Sequence, residues 1–128
     1  MENSESAEMY LETVFLLQKS HGHAHGVDIA EKLGVSKASV TKAMKRLQAD
    51  GLVFKENYGS ITLTERGEEI SALIYSKHKL ISAFLEHSLD ISGVEASENA
   101  CRIEHTVSDE LLTGIKNYLV KHGVEIEA

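Results

Sequence analysis

Broad apolar stripes alternate with short polar breaks along the chain, and the stripes recur at helical spacing through most of its length. In "EMYLETVFLLQK", Glu8 to Lys19, the side chains of Met9, Leu11, Val14, Phe15, Leu16 and Leu17 make one wide apolar face, which predicts a helix packed on a core. After a break rich in glycine and histidine, Val27, Ile29, Ala30 and Leu33 predict a short amphipathic helix, which Gly34 ends by supplying a left-handed residue. Ser36 is placed to cap a second helix, with Val40, Met44 and Leu47 on its buried side and Gly51 at its end. Two short helices around a tight glycine-containing turn make a helix-turn-helix. "LVFKENYGSITLT" then sets β-branched and aromatic residues on either side of Asn57-Tyr58-Gly59-Ser60, the pattern of a two-stranded hairpin, and a helix-turn-helix followed by a hairpin is a winged helix.

Thr64 can cap a long helix that runs to about His87, with Ile70, Leu73, Ile74, Leu80, Ile81, Phe84 and Leu85 on one sustained stripe. Ser92-Gly93-Val94-Glu95 fits a capping box, so a further helix starts near Gly93 and is expected to contain Cys101, Glu104 and His105. Ser108 caps a last helix, which Gly123 closes. With no proline in 128 residues, the expected fold is mainly α: an N-terminal winged helix-turn-helix over residues 1–63, followed by an α-helical domain over 64–128.

Charge changes the picture in one segment. The chain carries thirteen basic and twenty acidic residues, a net −7, which on its face argues against a phosphate-bearing partner. Between Val27 and Arg66, however, seven basic residues stand against five acidic ones, so the excess acid lies elsewhere. The second helix of the helix-turn-helix carries Lys37, Lys42, Lys45 and Arg46 and no acid from Ser36 to Ala49, the footprint of a recognition helix in a major groove. Lys37, Ala38, Ser39, Thr41 and Lys42 at its start are the candidates for base and phosphate contacts, with Lys45 and Arg46 further along. Ser36 would offer a hydroxyl and helix N-terminal amides to a phosphate, and Tyr58 and Ser60 in the wing could touch the DNA backbone. A polar, acidic N-terminus and no run approaching ~18 apolar residues point to a soluble, cytoplasmic protein with no membrane partner.

The soft chemistry is concentrated in "NACRIEH". On a helix, Cys101, Glu104 and His105 share one face and offer a thiolate, a carboxylate and an imidazole, a set that suits Fe(II), Zn(II) or Co(II) better than Mg(II) or Ca(II). Three such residues alone leave two readings open, a metal site or a buried cysteine beside a solvated pair. The single cysteine excludes an intramolecular disulfide. "HGHAH", His21 to His25, reads as a polar loop.

Four segments together carry a resemblance: "SAEMYLETVFLL", "VDIAEKLGVSKASVTKAMKRLQADGLV", "LTERGEEISALIYSKHKL" and "ENACRIEHTVSDE". In this order, from about Ser6 to Tyr118, they resemble the metal-dependent repressors typified by the diphtheria toxin repressor and the manganese transport regulators. The resemblance implies that the helical domain serves dimerisation and metal binding. It also implies a primary site of Met9, Cys101, Glu104 and His105, the iron-branch donors, where the manganese branch has Asp in place of Met9 and Glu in place of Cys101. Softer donors point to Fe(II), with Mn(II), Co(II), Ni(II) or Zn(II) as other occupants. An ancillary site of the iron branch is matched only at His78, because Ser82 and Ser97 stand where its Glu and second His belong; Glu12, which matches a manganese-branch ligand, could join His78 in a different second site. No ligand of the family corresponds to the histidines of "HGHAH", and Ala38 stands where relatives often have proline. The chain ends where the longer iron repressors continue into an SH3-like domain, which implies the two-domain plan of the manganese regulators.

The implied function is a homodimeric repressor of iron or manganese uptake genes, not an enzyme, which binds a palindromic double-stranded operator when a divalent metal bridges its two domains. Three rivals stand beside it: a winged-helix regulator sensing oxidants through Cys101, a small metalloenzyme with an open coordination position, and a metal-binding protein with no DNA function.

Overall fold

The computed structural model describes residues 5–56 and 59–126, and the chain divides into two compact units between Ala72 and Leu73. The first unit is built on α1 (Glu5–His21), β1 (Ala24–His25), α2 (Gly26–Leu33), α3 (Lys37–Ala49), β2 (Val53–Lys55) and β3 (Ser60–Leu63). Leu11 and Val14 of α1, Ile29 of α2, Val40, Met44 and Leu47 of α3, and Leu52, Val53 and Ile61 from the sheet region are all buried. Their apolar stripes form the core of this unit.

Local chemistry sets the helix ends. Gly34 adopts φ 68°, the left-handed conformation that stops α2, and Ser36 accepts a hydrogen bond from the Ser39 amide to start α3. Asp50 is the last half-helical residue of α3, and Gly51 follows at φ 75°. The helix-turn-helix therefore stands as the apolar pattern predicts. Two expectations are corrected. The histidine-bearing break is not wholly a loop: Ala24 pairs with Ile61 and His25 with Ser60, making a third strand in the sheet order β1-β3-β2. The first helix also begins and ends beyond the predicted Glu8 to Lys19. The hairpin itself is present, with Val53 opposite Leu63 and Lys55 opposite Ile61, while Asn57 and Tyr58 lie outside the described residues.

α4 (Glu65–Leu89) starts in the first unit and is fixed there by hydrogen bonds of Thr64 and Gln18. Thr64 Oγ1 accepts from the Gly67 amide at 3.0 Å and donates to the Gly51 carbonyl at 2.7 Å, while the Thr64 amide donates to the Leu52 carbonyl at 3.0 Å. Gln18 on α1 accepts from the Leu63 amide at 2.8 Å and donates to Glu68 at 3.1 Å. At Gly67 the α4 backbone passes so near Leu52 that an added Cβ would stand 2.0 Å from its carbonyl oxygen.

The second unit comprises the rest of α4 with α5 (Gly93–Ile103) and α6 (Asp109–Lys121) around Ile81, Ala100, Ile115 and Leu119. Ser92 and Ser108 cap α5 and α6 by accepting from Glu95 and Leu111 amides, and Gly123 turns at φ 67°. Here too one expectation is corrected: α5 ends at Ile103, so Glu104 and His105 sit in the closing turn and not within the helix. Among the described residues, no helix is long and apolar enough to cross a membrane.

Two glycines in helices should respond to alanine with opposite sign. Gly67→Ala is expected to destabilise the protein by roughly 2–3 kcal/mol, because the obstacle is backbone and cannot turn aside. Gly114→Ala on α6, where an added Cβ meets nothing within 4 Å, is expected to stabilise it by up to ~1 kcal/mol. Urea unfolding of both variants checks the pair; a neutral Gly67→Ala would refute the close approach.

Candidate metal centre and nucleic-acid interface

The second unit gathers its donors around one carboxylate. Glu104, at the C-terminus of α5, is 1% exposed. Its Oε2 lies 3.1 Å from His78 Nδ1 on α4, and its Oε1 lies 3.3 Å from His105 Nε2. The His105 side chain is itself nearly covered, at 3% exposure. Cys101 stands one helical turn before Glu104, with its thiol sulfur and a Glu104 oxygen within 4.8 Å of each other. The cysteine is exposed, which corrects the alternative of a buried core thiol.

A carboxylate withdrawn this far from water loses several kcal/mol of hydration, and only nearby positive charge or strong donors offset the loss. Two imidazoles at hydrogen-bonding distance and a neighbouring thiol are also the donor types that hold a borderline divalent cation. The residues present therefore fit a transition-metal ion.

His78 is held at both nitrogens. Nε2 meets Ser97 Oγ at 3.2 Å, Nδ1 meets Glu104, and the Tyr75 ring stacks on the imidazole at 6.0 Å and 8°. Ser97 is thus not an empty substitution: its hydroxyl orients the His78 ring. Ser82 lies with His78, Glu86 and Glu125 along a surface cleft of about 270 Å³. Sequence reasoning missed Tyr75 and the role of Ser97, whose only signal was helical proximity to His78 for the first and none for the second. Met9 and Glu12 belong to α1 of the first unit; Met9 is 42% exposed and Glu12 is buried. His23 and His25 meet edge to face at 4.6 Å, and among the described residues His21, His23 and His25 do not converge with a further donor into a three-ligand group.

The predicted DNA-reading residues share one element. Lys37, Ala38, Ser39, Thr41, Lys42, Lys45 and Arg46 are all exposed on α3, with Val40, Met44 and Leu47 anchoring the opposite face. Ser36 is already committed, accepting from the Ser39 amide at 3.1 Å and donating to Ser39 Oγ at 3.0 Å, so its hydroxyl serves the helix start first. Thr41 donates to the Lys37 carbonyl at 3.0 Å, so its hydroxyl too serves the helix. Ser60 is half-buried in β3.

A winged helix with a basic exposed α3, joined to a helical unit in which a covered carboxylate has a thiol and two imidazoles beside it, fits the class of metal-responsive DNA-binding regulators. Comparison with known proteins agrees. Residues 2–61 match the model of the iron dependent repressor N-terminal DNA binding domain, and residues 64–123 match that of the iron dependent repressor metal binding and dimerisation domain. An uncharacterized HTH-type transcriptional regulator of Methanocaldococcus jannaschii is 39% identical over 119 residues, which span 92% of this chain and 95% of that one. The transcriptional regulator MntR of Escherichia coli is 34% identical over 116 residues, 91% of this chain and 74% of its own. The crystal structure of IdeR from T. acidophilum aligns with a TM-score of 0.82 at 25% identity, covering 93% of this chain but 55% of that one, so this chain spans about half the length of that solved relative. The chain belongs to the iron-dependent repressor family of metal-dependent transcriptional regulators.

His78 faces Glu104 as well as Ser97, whereas Ser97 reaches the carboxylate only through His78, which separates the variants. His78→Ala is expected to cost about 2–3 kcal/mol, since it removes an imidazole that faces the buried Glu104 carboxylate, while Ser97→Ala should cost about 1 kcal/mol. Thermal unfolding of the metal-free variants measures both; equal losses would mean that the Glu104 contact contributes nothing.

Proposed function

We propose that this protein is a homodimeric repressor of metal-uptake genes that binds a palindromic operator when Fe(II) is plentiful. The observation that carries the reading is the covered Glu104 carboxylate with His105, His78 and the Cys101 thiol around it. In this proposal Cys101, Glu104 and His105 hold the ion together with Met9 of α1, as the resemblance implies, while His78 and Glu12 form a second set. A bound dication would neutralise the buried carboxylate and supply a Lewis-acid tie among these donors. The protein's own residues do the rest: His78 orients Glu104, Ser97 orients His78, and α3 presents its lysines to DNA. Because Met9 and Glu12 belong to the unit that carries α3, metal and DNA affinity rise together by the same factor.

Sulfur donors decide the choice of ion. A thiolate and a thioether favour Fe(II) over the harder Mn(II), and they also admit Co(II), Ni(II) or Zn(II). The two-fold dimer would place two recognition helices about one helical turn of DNA, or a multiple, apart.

Duplex binding measured under anaerobic conditions, with Fe(II) and with chelator, tests the reading. Fe(II) is expected to tighten binding by roughly 5- to 150-fold, the usual range of such coupling, and Glu104→Gln to abolish that increment while leaving the weak chelator-state binding unchanged. Equal affinity in the two conditions for the unaltered protein would eliminate the proposal.

The exposure of Cys101 favours one second reading, an oxidant response through its thiol. In that case Cys101→Ser would abolish peroxide-induced release from DNA while Glu104→Gln retained metal-activated binding; under the metal reading both variants lose the Fe(II) increment.

A further inference from the structure

The C-terminal ends of α4 and α6 bring two histidines together around one tyrosine. His87 follows Phe84 by one helical turn, and Phe84 packs on the core of the second unit while meeting the Tyr118 ring of α6 edge to face at 5.1 Å. His122, one turn beyond Tyr118, stacks on that ring at 4.1 Å and 26°. The imidazoles of His87 and His122 consequently stand 5.5 Å apart, inclined at 59°, and both residues are exposed. Neither belongs to the donor set around Glu104.

Tyr118 engages the same nitrogen of each ring. His122 Nδ1 faces the Tyr118 carbonyl at 2.9 Å, and His87 Nδ1 faces the Tyr118 hydroxyl at 3.3 Å. A carbonyl can only accept, so in the neutral His122 ring the proton sits on Nδ1 and Nε2 keeps a bare lone pair. The hydroxyl can accept as well, which permits the same tautomer at His87. Among the described residues, no hydrogen bond occupies Nε2 of either ring. An imidazole whose Nδ1–H is held by an oxygen while Nε2 stays open has the arrangement of a metal-ligating histidine.

The spacing suits a single ion. With metal–nitrogen bonds of about 2.0–2.1 Å, two imidazoles on a tetrahedral cation have ring centroids about 5 Å apart, close to the 5.5 Å observed. We infer that Nε2 of His87 and Nε2 of His122 form a two-imidazole site for a borderline dication, Zn(II), Ni(II) or Cu(II), with water completing its coordination. Two neutral nitrogens, with no carboxylate or thiolate, favour those ions over Mn(II) and Fe(II), so this site sorts metals differently from the one around Glu104. Tyr118 is its positioning residue. An ion held there ties the end of α4 to the end of α6 and, binding only the folded unit, stabilises it.

The test uses the full chain and Zn(II) alone, read by nitrogen NMR of the imidazoles. Before zinc is added, His122 should show the Nδ1–H tautomer. In the unaltered protein and in Glu104→Gln alike, Zn(II) is expected to shift the Nε2 signals of His87 and His122 with one shared affinity. His87→Ala and His122→Ala should each weaken Zn(II) at the remaining imidazole by roughly tenfold or more, and Tyr118→Phe should lower the Nδ1–H population at His87 and weaken the site by about tenfold. The shared affinity is read in the unaltered chain and needs no variant. Separate affinities for the two histidines would overturn the inference. So would a His122 shift that persists at the same Zn(II) concentration in His87→Ala protein that melts like the unaltered chain, leaving His122 as a helix cap only. Neither outcome bears on the Glu104 site, which is read from its own His78 and His105 signals.

Discussion

The carboxylate of Glu104 is the constraint on which the second unit turns. It is sealed from water, and its two oxygens face imidazoles from different segments, His78 on α4 and His105 in the turn that ends α5. A charge in such surroundings is tolerable only while its partners stay in place. The unit therefore carries an element whose comfort depends on how much positive charge is nearby, which is the physical requirement for a protein that responds to a cation. Ser97 and Tyr75 extend this arrangement by fixing the His78 ring from its other nitrogen and from its face.

In the first unit the corresponding constraint is backbone fit. Gly51 and Leu52, immediately after α3, receive Thr64 and Gly67 at the start of α4, and Gln18 joins α1 to the same place. The end of the DNA-reading helix and the start of the long helix are thus locked by short bonds that leave no room for a side chain at Gly67. Apolar burial of Val40, Met44 and Leu47 holds α3 on the core, and these polar contacts fix the chain where it leaves that helix.

Local rules were enough for much of this. The caps at Ser36, Ser92 and Ser108 and the left-handed glycines at 34, 51 and 123 all stand where the residue types require them, since each involves a bond spanning three or four residues. The exposed basic face of α3 was equally legible, because helical periodicity assigns Val40, Met44 and Leu47 to the core and turns the lysines outward. The closing turn of α5 was less so: the same i, i+3 and i, i+4 spacing holds in a last helical turn, so the pattern could not locate the helix end before Glu104. Two residues at β1 were too few to show any alternation at all, and their strand character comes from pairing with Ile61 and Ser60.

By itself, the order of residues determined the six helices, the serine caps and glycine stops between them, the hairpin and the basic recognition helix, because those follow from propensities and bonds between near neighbours. Tertiary structure alone decided that His78 meets Glu104 and Ser97, that Lys55 and His25 share a cleft with Lys37, and that the wing gains a third strand. Each of those contacts joins residues far apart along the chain, so it exists only after burial of the apolar faces has fixed where whole helices and strands lie.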